Sequence, residues 1–243
     1  MRRCYFVACC LLAFIATPYI VSADAVRITE FMSEGQGDLL SGNGGRRQRE
    51  FFELTNLSHD NVDVSTWSYN DNNTNDPLNW GPSIGNIAAG ESIIFTQMTP
   101  DAFRNYWGLS NSVRIYSIGG LSNLGNADTI NIYNSFTQSP ATLVDSLTYT
   151  ADARGSGVSR NRPWDGGTGQ SPNSAWVNST VGDSYQSRLA PNATGFPGFP
   201  NAADYTDLAN PGVYTHVPEP TSMALAAIGV TGVLLVARRK RSK

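Results

Sequence analysis

Within Asp128-Thr129-Ile130-Asn131-Ile132-Tyr133, the stretch from Thr129 to Ile132 alternates polar and apolar residues at every step. A strand with one buried face has that two-residue period, and a helix does not. The same signature recurs on both sides. Upstream, Val26-Arg27-Ile28-Thr29 alternates, as does Phe52-Glu53-Leu54, which Asn56 stops. Val62-Asp63-Val64 leads to Trp67 and Tyr69, Ser92-Ile93-Ile94-Phe95 is a short run of the buried type, and Val113-Arg114-Ile115-Tyr116 alternates again. Downstream, Leu143 to Tyr149 is a further strand. Gly, Asn, Asp and Pro clusters separate these runs. About seven short strands joined by such turns predict an all-β, antiparallel sandwich.

One helix is expected. Thr99 is a good N-cap, Pro100 suits the first helical position, and Gly108 ends the turn. Between them Phe103, Tyr106 and Trp107 fall at i, i+3 and i+4, a spacing that predicts about two turns with the aromatics in the core.

These pieces, in this order, resemble the lamin-tail domain. Val26 to Met32, followed by Glu50-Phe51-Phe52-Glu53-Leu54-Thr55-Asn56, looks like its opening, and Val62 to Tyr69 continues it. Ala88-Ala89-Gly90-Glu91-Ser92 resembles its turn before a buried strand. Leu121 to Gly125 with Asp128 to Tyr133, then Val144 to Tyr149, fit its later signatures. The resemblance implies an immunoglobulin-like sandwich over residues 24–150. Two departures read as loop variation: a Gly/Arg-rich insertion at Gly35–Arg49, and Asn126-Ala127, which separates Asp128 from Gly125.

Ala151 to Val217 has a different composition, with 9 Gly, 6 Pro, 6 Asn and 7 Ser among 67 residues. Such a segment buries little apolar surface and is expected to be largely irregular. Within the extension 151–190, Gly157-Val158-Ser159-Arg160 and Ala175-Trp176-Val177 are candidates for added edge strands, and Trp164 and Trp176 for pins onto the sandwich. Residues 191–217 read as a spacer to the membrane.

The two ends of the 243-residue chain read as addresses. Met1-Arg2-Arg3, an apolar run from Tyr5 to Val21 and then Val21-Ser22-Ala23 form a signal peptide, residues 1–23. Cleavage is expected between Ala23 and Asp24, with the bond after Ala25 next. All three cysteines, Cys4, Cys9 and Cys10, lie within that segment, so its removal leaves no thiol.

The other end runs Pro218-Glu219-Pro220, an uncharged stretch Thr221–Ala237, then Arg238-Arg239-Lys240-Arg241-Ser242-Lys243. Seventeen residues at about 1.5 Å each just span a hydrocarbon core, and the basic cluster Arg238, Arg239, Lys240 and Arg241 stops transfer. Residues 218–243 as a unit resemble the PEP-CTERM sorting signal of bacterial surface proteins. That resemblance implies recognition of Pro218, Glu219 and Pro220 by an exosortase-type membrane enzyme, with removal of the helix. A plain single-pass anchor is the alternative. Pro-X-Pro disfavours helix, which leaves the motif extended and accessible.

Charge narrows the function further. Between Asp24 and Val217 stand ten Arg, no Lys and nineteen Asp/Glu, a balance of −9. That argues against a nucleic-acid binder, which needs a basic face. Without Lys or Cys in that stretch, Schiff-base, P-loop and thiol chemistry are excluded.

Gly81-Pro82-Ser83-Ile84-Gly85 matches G-x-S-x-G, but a nucleophile elbow needs a strand before it, a helix after it and a later His. The later His is His216, beside the sorting motif, and His59 lies in a turn. Asp71-Asn72-Asn73-Thr74-Asn75-Asp76 mimics a calcium loop, making Asp71, Asn73, Asn75 and Asp76 the metal candidates. It lacks the Gly at position six and has Pro82 at the bidentate Glu position, and an Asn-rich turn accounts for it without metal. No cofactor is expected. Arg46-Arg47-Gln48-Arg49 reads as a solvated loop tip, or else as a contact for an acidic polysaccharide or protein. The N-x-S/T patterns at Asn56, Asn72, Asn178 and Asn192 read as coincidence in an Asn-rich chain.

The expected function is that of a non-enzymatic exported surface or matrix protein that binds or adheres. Its expected partners are signal peptidase, the sorting enzyme, the membrane and a surface polysaccharide or protein. The alternatives are an inert structural protein and a secreted hydrolase with an unrecognised site.

Overall fold

The computed structural model describes residues 26–35, 49–71, 78–118, 124, 127–150, 157–163, 176–192 and 206–214. In chain order the elements are β1 (Val26–Met32), β2 (Phe51–Asn56), β3 (Val62–Asp63), β4 (Ser68–Asn70), α1 (Gly81–Ile84), β5 (Asn86–Ile87), β6 (Ser92–Thr96) and α2 (Pro100–Trp107). They continue with β7 (Arg114–Ser117), β8 (Asp128–Tyr133), β9 (Leu143–Tyr149), β10 (Arg160–Asn161), β11 (Val177–Asn178), β12 (Arg188–Leu189) and β13 (Leu208–Ala209). Among the described residues the fold is all-β with two short helices.

A six-stranded sheet runs β11-β10-β1-β2-β6-β7, and a three-stranded sheet runs β4-β8-β9. Phe51 and Phe52 show how the layers form, because neighbouring strand residues face opposite ways. Phe52 stacks on Phe95 at 4.8 Å and meets Tyr69 of the smaller sheet at 5.0 Å. With Ile28, Leu54, Ile130, Ile132, Leu147 and Tyr149 they form one core between the sheets. Phe51 points the other way, onto Phe103 at 5.4 Å and Trp107 at 6.2 Å. Helix α2 thus covers the second face of the large sheet, together with Met32, Ile94, Met98 and Ala209.

Helix α2 forms as its spacing predicts. The Thr99 hydroxyl accepts from the Ala102 N–H, Pro100 opens the helix, and Gly108 closes it at φ +61°. Phe103, Tyr106 and Trp107 are fully buried.

Three expectations are corrected. The sheet is not wholly antiparallel, because β6 and β7 pair in parallel, from Ile93↔Arg114 to Thr96↔Ser117. Helix α2 lies between them and supplies the crossover that a parallel pair needs. Residues 191–217 are not a spacer throughout. Leu208 and Ala209 pair with β12, and Asp207, Ala209 and Asn210 are buried. Arg49, expected at a solvated loop tip, is fully buried.

The extension contributes to the sheet. β10 pairs with β1 through Glu30↔Asn161 and Phe31↔Arg160, and β11 pairs with β10. Trp176 is buried 5.3 Å from Phe31. Trp164, the signal segment 1–23 and the stretch 221–237 lie outside the described residues. Among the described residues no helix is long and apolar enough to cross a membrane.

Candidate functional site

A bulge decides what the second face of the sheet carries. The β1–β2 register shifts between Ile28 and Glu30, so Ile28 and Phe31 both reach the core between the sheets. The extra residue rotates Glu30 onto the opposite face, directly across from Glu53. Both carboxylates are completely buried.

Their partners come largely from later in the chain. Glu30 Oε1 accepts from the Asn210 N–H at 2.9 Å and from the Ser159 hydroxyl. Glu30 Oε2 is buried with no hydrogen-bond partner among the described residues. Glu53 Oε1 accepts from the Thr29 hydroxyl at 2.7 Å and the Thr55 hydroxyl at 3.2 Å. Glu53 Oε2 accepts from the Gly212 N–H at 2.7 Å. Burial, then the neighbouring Glu53, pushes Glu30 up to about 8. Burial raises Glu53 as well, against the pull of its hydrogen bonds. At neutral pH the Glu30 side of the pair is therefore protonated.

The segment above them, residues 206–214, is fastened at both ends. Asp207 Oδ2 lies 2.8 Å from Arg49 Nη1, with both side chains fully buried. The Tyr106 hydroxyl donates to Asp207 Oδ2 at 2.8 Å and accepts from Arg49 Nη1 at 2.9 Å. Burial, then the adjacent Asp207, pushes that hydroxyl well above the usual tyrosine range. Gly35 lies against the pair: a Cβ there would stand 2.7 Å from Arg49 Nε and 2.9 Å from Asp207 Oδ2, so a side chain would push the ion pair aside. At the other end, Asn210-Pro211-Gly212-Val213 turns with a Val213 N–H to Asn210 O bond of 3.2 Å and Gly212 at φ +83°. Pro followed by a positive-φ Gly is the type II pattern. It points the Gly212 N–H at Glu53.

A second buried pair joins the two sheets. Asp145 on β9 accepts from Arg162 Nη1 at 2.8 Å and from the Ile28 N–H at 2.9 Å. Burial raises Asp145 despite Arg162.

The candidates from the sequence fall elsewhere. Arg49 is no solvated loop tip. It is fully buried because Asp207 supplies a counter-charge, and Arg46, Arg47 and Gln48 lie outside the described residues. Ser83 sits exposed on the four-residue helix α1, and His59 is exposed in its turn. No strand runs into Gly81, so the elbow geometry is not built. Asp71 is half-buried, while Asn73, Asn75 and Asp76 lie outside the described residues. So do Ala23, Asp24, His216, Pro218, Glu219, Pro220 and the basic tail. Asn56 is a buried cap: its amide donates to Asp60 O, Ile87 O and Ala88 O, and its oxygen accepts from Ser58.

Glu30, Glu53 and Asp207 were not among the sequence candidates. Glu53 reads as the solvent-facing member of an alternating strand, which is the ordinary outcome for a one-sided sheet. The one local sign is Asp207-Leu208-Ala209-Asn210-Pro211-Gly212, an apolar pair and a turn inside a polar stretch.

Residues 216–241 match the PEP-CTERM protein-sorting motif. The motif indicates export and cell-surface sorting by an exosortase-type enzyme. No curated protein matches the chain. Five solved chains match it. One is the crystal structure of a DUF4876 family protein from Bacteroides thetaiotaomicron, at 12% identity and a TM-score of 0.36, covering 81% of this chain and 72% of that one.

Proposed function

We propose that this is a non-enzymatic, exported surface protein whose body is an immunoglobulin-like, lamin-tail-like module for binding or adhesion. The observation that carries the reading is the sorting-motif match over residues 216–241. The order of strand signatures from Val26 to Tyr149 supports the lamin-tail likeness, and the core shared by two sheets supports a sandwich. The domain reading is a signal peptide at 1–23, a body that runs past residue 150 through the described segment 206–214, and a sorting signal at 218–243. The 221–237 stretch holds the precursor in the membrane until the enzyme acts. Signal peptidase and a surface polysaccharide or protein complete the set of partners, and no cofactor is required.

Replacing Pro218, Glu219 and Pro220 by Ala in the native host tests the sorting step. Accumulation of the longer precursor in the membrane fraction is expected. Unchanged tail removal would refute that step. For binding, the exported chain is passed over polysaccharide purified from the same envelopes. Retention supports a binding module, and its absence favours the inert structural alternative.

A further inference from the structure

The last described residue, Tyr214, is largely buried, and the sorting motif begins at Pro218. Only Thr215, His216 and Val217 stand between them. Three residues reach at most about 10 Å. Freed from Thr206 onward, the connecting chain would be twelve residues, with a reach of about 40 Å. The docking of residues 206–214 therefore sets how far the motif extends from the body.

That docking rests on two acids. Glu30 and Glu53 each accept one backbone N–H of the segment, from Asn210 and Gly212. Both are sealed under it, and Glu30 Oε2 has no partner there to offset a charge. Asp183 from the 176–192 loop adds a further acid acting on Glu30, while the Arg49–Asp207 ion pair and the Tyr106 hydroxyl of α2 fasten the other end of the segment.

We propose that Glu30 and Glu53 form a proton-dependent latch on residues 206–214, which holds the sorting motif close to the body when closed and presents it on a long tether when open. Rising pH places two charges side by side in a space that solvates neither, and the segment lifts to admit water. The sorting enzyme, whose role here rests on the function proposed above, then acts faster on the open form.

Hydrogen exchange on the full chain in detergent reads the latch directly. Protection of residues 206–214, corrected for intrinsic rate and taken relative to β2, is expected to fall at least tenfold from pH 5 to pH 9. Glu30→Gln, which keeps an oxygen acceptor and cannot ionise, is expected to abolish most of that fall. A ratio that ignores pH, or an identical fall in the variant, would overturn the latch. Should the variant not fold, protease cleavage of the wild-type chain within 206–214 gives the second reading. Cleavage that rises with pH while β2 stays intact supports the latch, and pH-independent cleavage refutes it. In the native host at alkaline pH, Glu30→Gln is expected to slow tail removal several-fold. Equal rates would break the link between latch and sorting. Absence of tail removal in both chains would sink the sorting reading and leave the exchange result intact.

Discussion

Glu30 and Glu53 face each other across the β1–β2 ladder, both completely buried, with the backbone of residues 210 and 212 hydrogen-bonded to them from above. Glu30 is held at about 8 against an ordinary 4.5. The folded state thus binds a proton that the unfolded chain has released. Stability from this group is complete below about pH 4.5 and is lost as pH rises through about 8. Asp145, also raised, acts in the same direction. Asp183 and Asp63 are lowered, chiefly through hydrogen bonds that outweigh burial, so their contribution is lost as pH falls below about 3.8. Thermal unfolding followed by circular dichroism is expected to show the highest midpoint near pH 4–5, with a decline through pH 9. A midpoint that rises from pH 5 to pH 8 would contradict the assignment.

The Arg49–Asp207 pair is expected to matter more than its single ion pair suggests. Asp207→Ala leaves a guanidinium buried beside a tyrosine hydroxyl. Breaking one side of such a pair costs about 3–5 kcal/mol. Urea unfolding is expected to show a loss of that order. A loss under about 1 kcal/mol would mean that water reaches Arg49 in the folded state.

Gly81 has no room for a side chain. A Cβ there would stand 2.0 Å from the Val64 carbonyl oxygen and 2.7 Å from the Trp67 nitrogen. Backbone atoms cannot step aside as a flexible side chain does. Gly81→Ala is therefore expected to destabilise by at least about 2 kcal/mol, whereas Ser83→Ala on the same helix changes stability by less than about 0.5 kcal/mol. Equal effects in denaturant titrations would contradict the packing.

The body does not end at β9 (Leu143–Tyr149). Trp176 packs on Phe31 in the core, and β10 extends the sheet beside β1. Trp176→Ala is expected to cost about 3–5 kcal/mol. A chain cut after Thr150 is expected to lose cooperative unfolding, since Glu30 and Glu53 lose Ser159, Asn210 and Gly212. A sharp, unchanged transition in the truncated chain would restore the shorter boundary.

Period-two strands and the capped helix were legible because their signals are local. Ile130 and Ile132 alternate with Thr129 and Asn131, and Thr99, Pro100 and Gly108 mark α2 without reference to anything distant. The parallel β6–β7 pair was not legible, because a short helix between strands does not announce which edge the chain returns to. Nor was the carboxylate pair. Glu30 and Glu53 look like surface residues until a bulge at Thr29 and a cover 159 and 180 residues downstream are known. Arg49 misled for the same reason, its partner being Asp207. The sorting motif was readable because the three parts of the tail are contiguous.

The most direct test is the intact mass of the protein purified from native envelopes and from the medium. The account predicts a species that begins near Asp24 and ends between Val217 and Pro220, with or without an attached group. A species that retains Thr221 to Lys243 at the surface would contradict it and leave a single-pass anchor in its place.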